Sequence, residues 1–191
     1  MKTEMMEKNT IMEIPFRSRG DIEQRARDVL RKHGLETIPV NPVELALREG
    51  FRVNNAKFAE DNLSGMIAKR GDNLMILVRD EDTPNRKRFT IAHELAHHFL
   101  HLTEDGEFVD GEADLFREDT DTDSKDMPAE RRAEIQANIF AAALLMPEDK
   151  VKTMWEVMRS ITKLALCFGV SVEAMGYRLD KLGISTNVRT P

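Results

Sequence analysis

The chain has little of what would place it in an oxidising compartment or a membrane. Only one of its 191 residues, Cys167, is a cysteine, so no internal disulfide can form and a reducing compartment is expected. Long apolar runs are also missing. The longest, IFAAALLM at 139–146, falls far short of the roughly 20 residues that a bilayer-spanning helix needs. The N-terminus, MKTEMMEKNTIMEIPF, scatters charges where a secretory signal would need an apolar stretch. No internal repeat is visible. These absences predict a cytoplasmic protein with no membrane contact.

What is present describes a soluble globular chain, 41% hydrophobic and 32% charged, long enough to bury a real core. The net charge of −6 is unevenly spread. Eleven acids and two bases lie between Glu104 and Asp126, a local −9 that leaves +3 on the remainder. That remainder neither demands nor excludes a nucleic-acid partner. Self-repulsion predicts that 104–126 is an extended, mobile loop.

Local signals give an order of elements. Residues 1–20 read as a flexible tail. DIEQRARDVLRKHG reads as a helix capped by Asp21 and stopped by Gly34. NPVELALREG repeats the device with Asn41, Pro42 and Gly50. Strands are predicted at FRV, at LSGMIAK from Leu63 and at LMILV (Leu74 to Val78), the last two joined by the turn RGDN as an antiparallel hairpin. Thr83 and Pro84 then open a helix that is apolar on nearly every face and therefore buried. Another helix lies between Pro128 and Pro147, and 148–191 reads as short helices ending in a helix-turn-helix-like pattern. The prediction is an α+β fold: a core over 21–147 with a small antiparallel β-sheet, and a C-terminal helical segment.

Within the buried helix, RFTIAHELAHHFLHL carries four histidines and a glutamate. His93, Glu94 and His97 spell H-E-x-x-H, and positions i and i+4 share a helix face, so both imidazoles can reach one metal ion. Zinc suits neutral imidazole nitrogen, and Glu94 would stand beside the water to be activated. His101 is two turns from His93, about 12 Å along the axis, and cannot share that ion. Leu100 and Thr103 occupy the positions where a metzincin would have its glycine and third histidine, which excludes that class. His98 points away from His97, and nothing recommends His33 as a ligand.

A catalytic zinc site usually takes three protein ligands and leaves one position open. Glu134 heads the apolar stripe Ala137, Asn138, Ala141, Leu145, where a carboxylate needs a partner such as a cation. Asn138, one turn later, could hydrogen-bond a ligating histidine and fix its ring. Glu130, Glu148 and the acidic stretch are weaker competitors for the ligand role.

RFTIAHELAHHFLH followed by EIQANIFAAALLMP resembles the ImmA/IrrE family of zinc-dependent metallo-endopeptidases. The resemblance covers roughly 21–183. It implies a zincin-like domain of the gluzincin type holding one zinc ion, with His93, His97 and Glu134 as ligands and Glu94 as general base. It further implies a protein substrate, commonly a helix-turn-helix repressor encoded nearby, in a mobile element or a stress response. Gln136 departs from relatives that carry a second acid there.

Weaker signals have plainer readings. Asp119, Asp121, Asp123 and Glu130 fall at EF-hand spacing, but Ser124 stands where glycine is required and Asp126 where an apolar residue is expected, so calcium is not predicted. Gly169 and Ser171 punctuate the helix-turn-helix-like segment, with Val172, Met175, Leu179 and Leu182 on one stripe. Its thin positive charge argues for a structural role rather than direct nucleic-acid binding. Tyr177, the only tyrosine, is a candidate oxyanion donor if it reaches the cleft. Cys167 reads as a small packed residue. Two rival functions remain open: a metal-containing regulator that inactivates the repressor by binding alone, and a DNA-binding regulator.

Overall fold

The computed structural model describes residues 14–59, 63–101, 106–110 and 127–186. Its elements run α1 (Arg19–His33), α2 (Pro42–Arg48), β1 (Arg52–Ala56), β2 (Gly65–Arg70), β3 (Asn73–Arg79), α3 (Pro84–Leu100), β4 (Gly106–Asp110), α4 (Ala129–Leu145), α5 (Glu148–Met158), α6 (Ile161–Phe168) and α7 (Val172–Lys181). The fold is α+β. Among the described residues no helix is long and apolar enough to cross a membrane.

Five of the seven described helices start at a side-chain cap. Asn41 Oδ1 accepts from the amides of Val43 and Glu44 and precedes Pro42, while Thr83 Oγ1 accepts from Arg86 ahead of Pro84. Gly34 and Gly169 close α1 and α6 in the left-handed conformation that costs glycine least. One cap differs from expectation. Ser18, not Asp21, caps α1, and Asp21 lies in the first turn, where its amide donates to the Ser18 hydroxyl and its charge suits the helix N-terminus.

The sheet has the order β1-β3-β2-β4. β2 and β3 form the expected antiparallel hairpin, Gly65 opposite Val78 and Arg70 opposite Asn73. The sheet as a whole is mixed rather than antiparallel, because β1 runs parallel to β3, with Val53 opposite Ile76. The hairpin turn dictates only its own pairing; which flank β1 takes is a matter of tertiary packing that the strand residues do not encode. β4 pairs antiparallel with β2. It forms from Gly106–Asp110, where charge alone predicts a loop; the rest of the acidic stretch, 104–105 and 111–126, lies outside the described residues, as do Asp119, Asp121 and Asp123 of the calcium pattern.

α3 is the axis of the molecule. Phe89 through His97 are all buried, with β2 and β3 on one side, α4 on another and α2 against its flank. The C-terminal helices add Val151, Trp155, Leu164, Phe168, Met175 and Leu179 to the same hydrophobic cluster. Cys167 packs partly buried against it. A buried ion pair fastens this region: Arg178 donates to both oxygens of Glu23 at 2.8 and 3.2 Å, and to the Met146 carbonyl at 3.1 Å. Arg88, on the first turns of α3, donates to the carbonyls of Val40 and Gly169, tying α3 to the α6–α7 turn.

The N-terminal segment differs from a free tail where it is described. Ile14 is buried. Arg132 of α4 donates to the Ile14 carbonyl at 2.9 Å, and Gln136 to the Pro15 carbonyl at 2.9 Å. Residues 1–13 lie outside the described residues.

Candidate metal centre

His93 and His97 stand one helical turn apart on the face of α3 that meets α4, and α4 brings Glu134 opposite them. His93 Nε2 lies 3.0 Å from Glu134 Oε2, and His97 Nε2 lies 3.4 Å from Glu134 Oε1 and 3.0 Å from His93 Nε2. These three residues form a group whose ligand atoms all lie within 4.8 Å of one another, close enough to hold one metal ion.

The outer nitrogens of the two rings explain why the inner ones converge. His93 Nδ1 is 2.9 Å from Asn138 Oδ1, an acceptor, so Nδ1 carries the proton and Nε2 is bare. His97 Nδ1 is 3.1 Å from His101 Nδ1. With His97 donating there, two imidazole lone pairs and a carboxylate face one point, an arrangement that repels itself until a cation enters. That is the donor set of a nitrogen- and oxygen-ligated divalent metal. Burial, then the neighbouring His93 and His101, push the His97 pKa well below its usual 6.5, so the ring is neutral and ready to ligate. Burial likewise lowers His101 to about 4. Both histidines of the group are closed off, at 1% and 0% side-chain exposure, whereas Glu134 is 36% exposed. The open side of the site therefore lies toward Glu134.

Glu94 is fully buried, one residue beyond His93. Its carboxylate lies against Gly65 at the start of β2: a Cβ there would overlap Glu94 Oε1 and the Thr90 methyl well inside van der Waals contact. Gly65 is thus the space that admits the carboxylate. A lone glycine inside a strand pattern is the usual sequence mark of such close approach, and here it is the signal that could have found this residue.

The remaining sequence candidates separate cleanly. His98 turns away from the site, its Nε2 3.0 Å from Glu49 and its ring edge-on to Phe51. His33 meets the same Glu49 at 2.7 Å. Glu130 is exposed in the first turn of α4, and Glu148 bonds Lys152 on α5, so neither joins the group. Tyr177 is half-buried on α7, with Lys181 Nζ 5.1 Å from its ring centroid. His101 is not part of that group, but it follows His97 at the same i, i+4 spacing and its ring meets that of His97; its other partner, Gln136 on α4, is what spacing along the helix does not reveal.

A Mycobacterium tuberculosis transcriptional regulator has a similar fold, with a TM-score of 0.61 and 24% identity over 84% of this chain. The match spans 46% of that protein, so this chain corresponds to less than half of its length. No curated protein matches the chain. Residues 46–180, which contain the histidine pair, Glu94, Glu134 and Asn138, match the IrrE N-terminal-like domain, and the chain accordingly belongs to the peptidase M78 family.

Proposed function

We propose that this protein is a zinc-dependent endopeptidase that hydrolyses a peptide bond in a partner protein. The observation that carries the reading is the convergence of His93, His97 and Glu134 beside a buried Glu94. A zinc ion held by those three residues would supply Lewis-acid polarisation of the scissile carbonyl. Glu94 takes the proton of the attacking water and returns it to the leaving amine. Asn138 holds the His93 ring in the tautomer that presents Nε2. Tyr177, half-buried on α7 with the Lys181 ammonium over its ring, is the candidate oxyanion donor of this reading.

Substrate binding follows from the sheet. β3, which contains Leu74 to Val78, is paired on both sides, by β1 and β2, so it cannot accept an extended peptide. Among the described residues the edges are β1 and β4, and β4 borders β2, whose Gly65 lies over Glu94. An extended segment of substrate would add at the outer edge of β4, one strand beyond the Gly65 that covers Glu94.

The target we favour is a helix-turn-helix repressor, with the reaction taking place in the cytoplasm. Support comes from the sequence resemblance and from the structural neighbour, itself a transcriptional regulator. Direct DNA reading by α6 and α7 fits less well. The buried Arg178 is committed to Glu23, and Glu173 and Asp180 are exposed on α7, where they would repel phosphate. The zincin-like core and the helix-turn-helix-like segment remain parts of this proposal.

A Glu94→Gln variant separates cleavage from inactivation by binding. It should retain zinc by elemental analysis and leave the neighbouring repressor intact. Full relief of repression by this variant would sink the protease reading.

A further inference from the structure

Beyond the ligands, a continuous line of hydrogen bonds leads from His97 to the main chain of the N-terminal segment. His97 Nδ1 meets His101 Nδ1 at 3.1 Å, His101 Nε2 meets Gln136 Oε1 at 3.1 Å, and Gln136 Nε2 donates to the Pro15 carbonyl at 2.9 Å. His97, His101 and Gln136 are all 2% exposed or less.

The direction of the line is set from its far end. A backbone carbonyl can only accept, so Gln136 must present its NH2 to Pro15 and its oxygen to His101. That oxygen can only accept, so the proton of the neutral His101 ring sits on Nε2 and its Nδ1 is bare. A bare Nδ1 can only accept, so His97 donates from its own Nδ1. His97 Nε2 is then left with a lone pair, aimed at His93 and Glu134. Reversing any one link would put a proton on the nitrogen that faces the metal position.

We propose that the Pro15 carbonyl, acting through Gln136 and His101, fixes the proton of His97 on Nδ1 and so keeps Nε2 free to ligate the metal. Gln136 and His101 are positioning residues for the metal site, and the segment at 14–17 belongs to it although it precedes the first helix. Several contacts hold that segment in place. Ile14 is buried, Arg132 donates to its carbonyl at 2.9 Å, and Arg17 reaches the Leu100 carbonyl at 3.5 Å. An asymmetry between the ligands supports the assignment. His93 Nδ1 meets an amide oxygen of the facing helix, whereas His97 Nδ1 meets another imidazole, which has no fixed polarity until something further out supplies one.

The inference rests on the zinc reading for its purpose but not for its test. In metal-free full-length protein, imidazole nitrogen shifts should report His97 protonated on Nδ1 and His101 on Nε2. The opposite tautomer at His101 overturns the proposal whatever the protein binds. Two variants probe the line. Gln136→Leu removes both links, so His97 should become a tautomer mixture, and zinc affinity measured against a competing chelator should fall about 10–100-fold. Gln136→Glu keeps an acceptor for His101 Nε2, so the His97 tautomer should persist and affinity should stay within about threefold of the unmodified protein. Equal affinity and equal tautomers in all three proteins would refute the proposal while leaving the zinc reading intact. Failure of the unmodified protein to bind zinc would refute the zinc reading alone, since the nitrogen shifts still decide the polarity of the line.

Discussion

Adding one methyl group at Gly65 should disable hydrolysis while sparing the metal. The Cβ of a Gly65→Ala variant would overlap Glu94 Oε1 and the Thr90 methyl. Ordinary contact begins near 3.4 Å, so the carboxylate would have to retreat by about 1 Å. β2 cannot move away, being paired with β3 on one side and β4 on the other. α3 cannot move either, since it is buried between sheet and α4. The cheapest escape rotates both the Glu94 side chain and that of the buried Thr90, at a stability cost of about 1–3 kcal/mol, the range for overpacking. In a chain of this size each kcal/mol is a fall in Tm of about 2–4 °C. A general base displaced by about 1 Å should lower turnover on the order of 100-fold. Turnover of the repressor substrate should be measured beside zinc content on the same preparation. Full turnover, or loss of zinc with the carboxylate unaffected, would show that Glu94 does not lie beneath β2 as described.

Other perturbations act on separate parts of the site and its frame. Asn138→Leu should weaken zinc binding about 10–100-fold in a chelator competition, because His93 loses the acceptor that holds its proton on Nδ1. Glu23→Ala strands the buried Arg178 guanidinium and should cost about 3–5 kcal/mol, read as a lower urea midpoint; a loss under about 1 kcal/mol would mean that the pair is not sealed from water. The metal-free protein should also be acid-sensitive. His101 has a folded pKa of about 4 against 6.5 ordinarily, so between those values the unfolded chain binds a proton that the folded one refuses. Stability present above pH 6.5 is therefore lost as the pH falls, by about 2 kcal/mol at pH 5, and His97 adds to the loss in the same direction. An unchanged urea midpoint between pH 7 and pH 5 would contradict this.

The sequence by itself determined whatever depends on neighbours along the chain. The i, i+4 spacing of His93 and His97 puts both rings on one helix face, and no packing could undo that. Asn41, Thr83, Gly34 and Gly169 end helices through bonds made within a few residues, and the turn after Arg70 specifies its own hairpin. Glu134 was readable too, because a carboxylate heading an apolar stripe needs a partner. Tertiary structure alone decided the rest. Strand residues show which faces are buried but not which strand lies alongside, so the parallel pairing of β1 and the interior place of β3 came from the chain path between elements. Gly65 became meaningful only when Glu94 was packed beneath it. His101 and Gln136 lie 35 residues apart, and Gln136 is 121 residues from Pro15. A hydrogen bond depends on distance and direction in space, so bonds between partners so distant in sequence exist only once α3, α4 and the N-terminal segment are packed together.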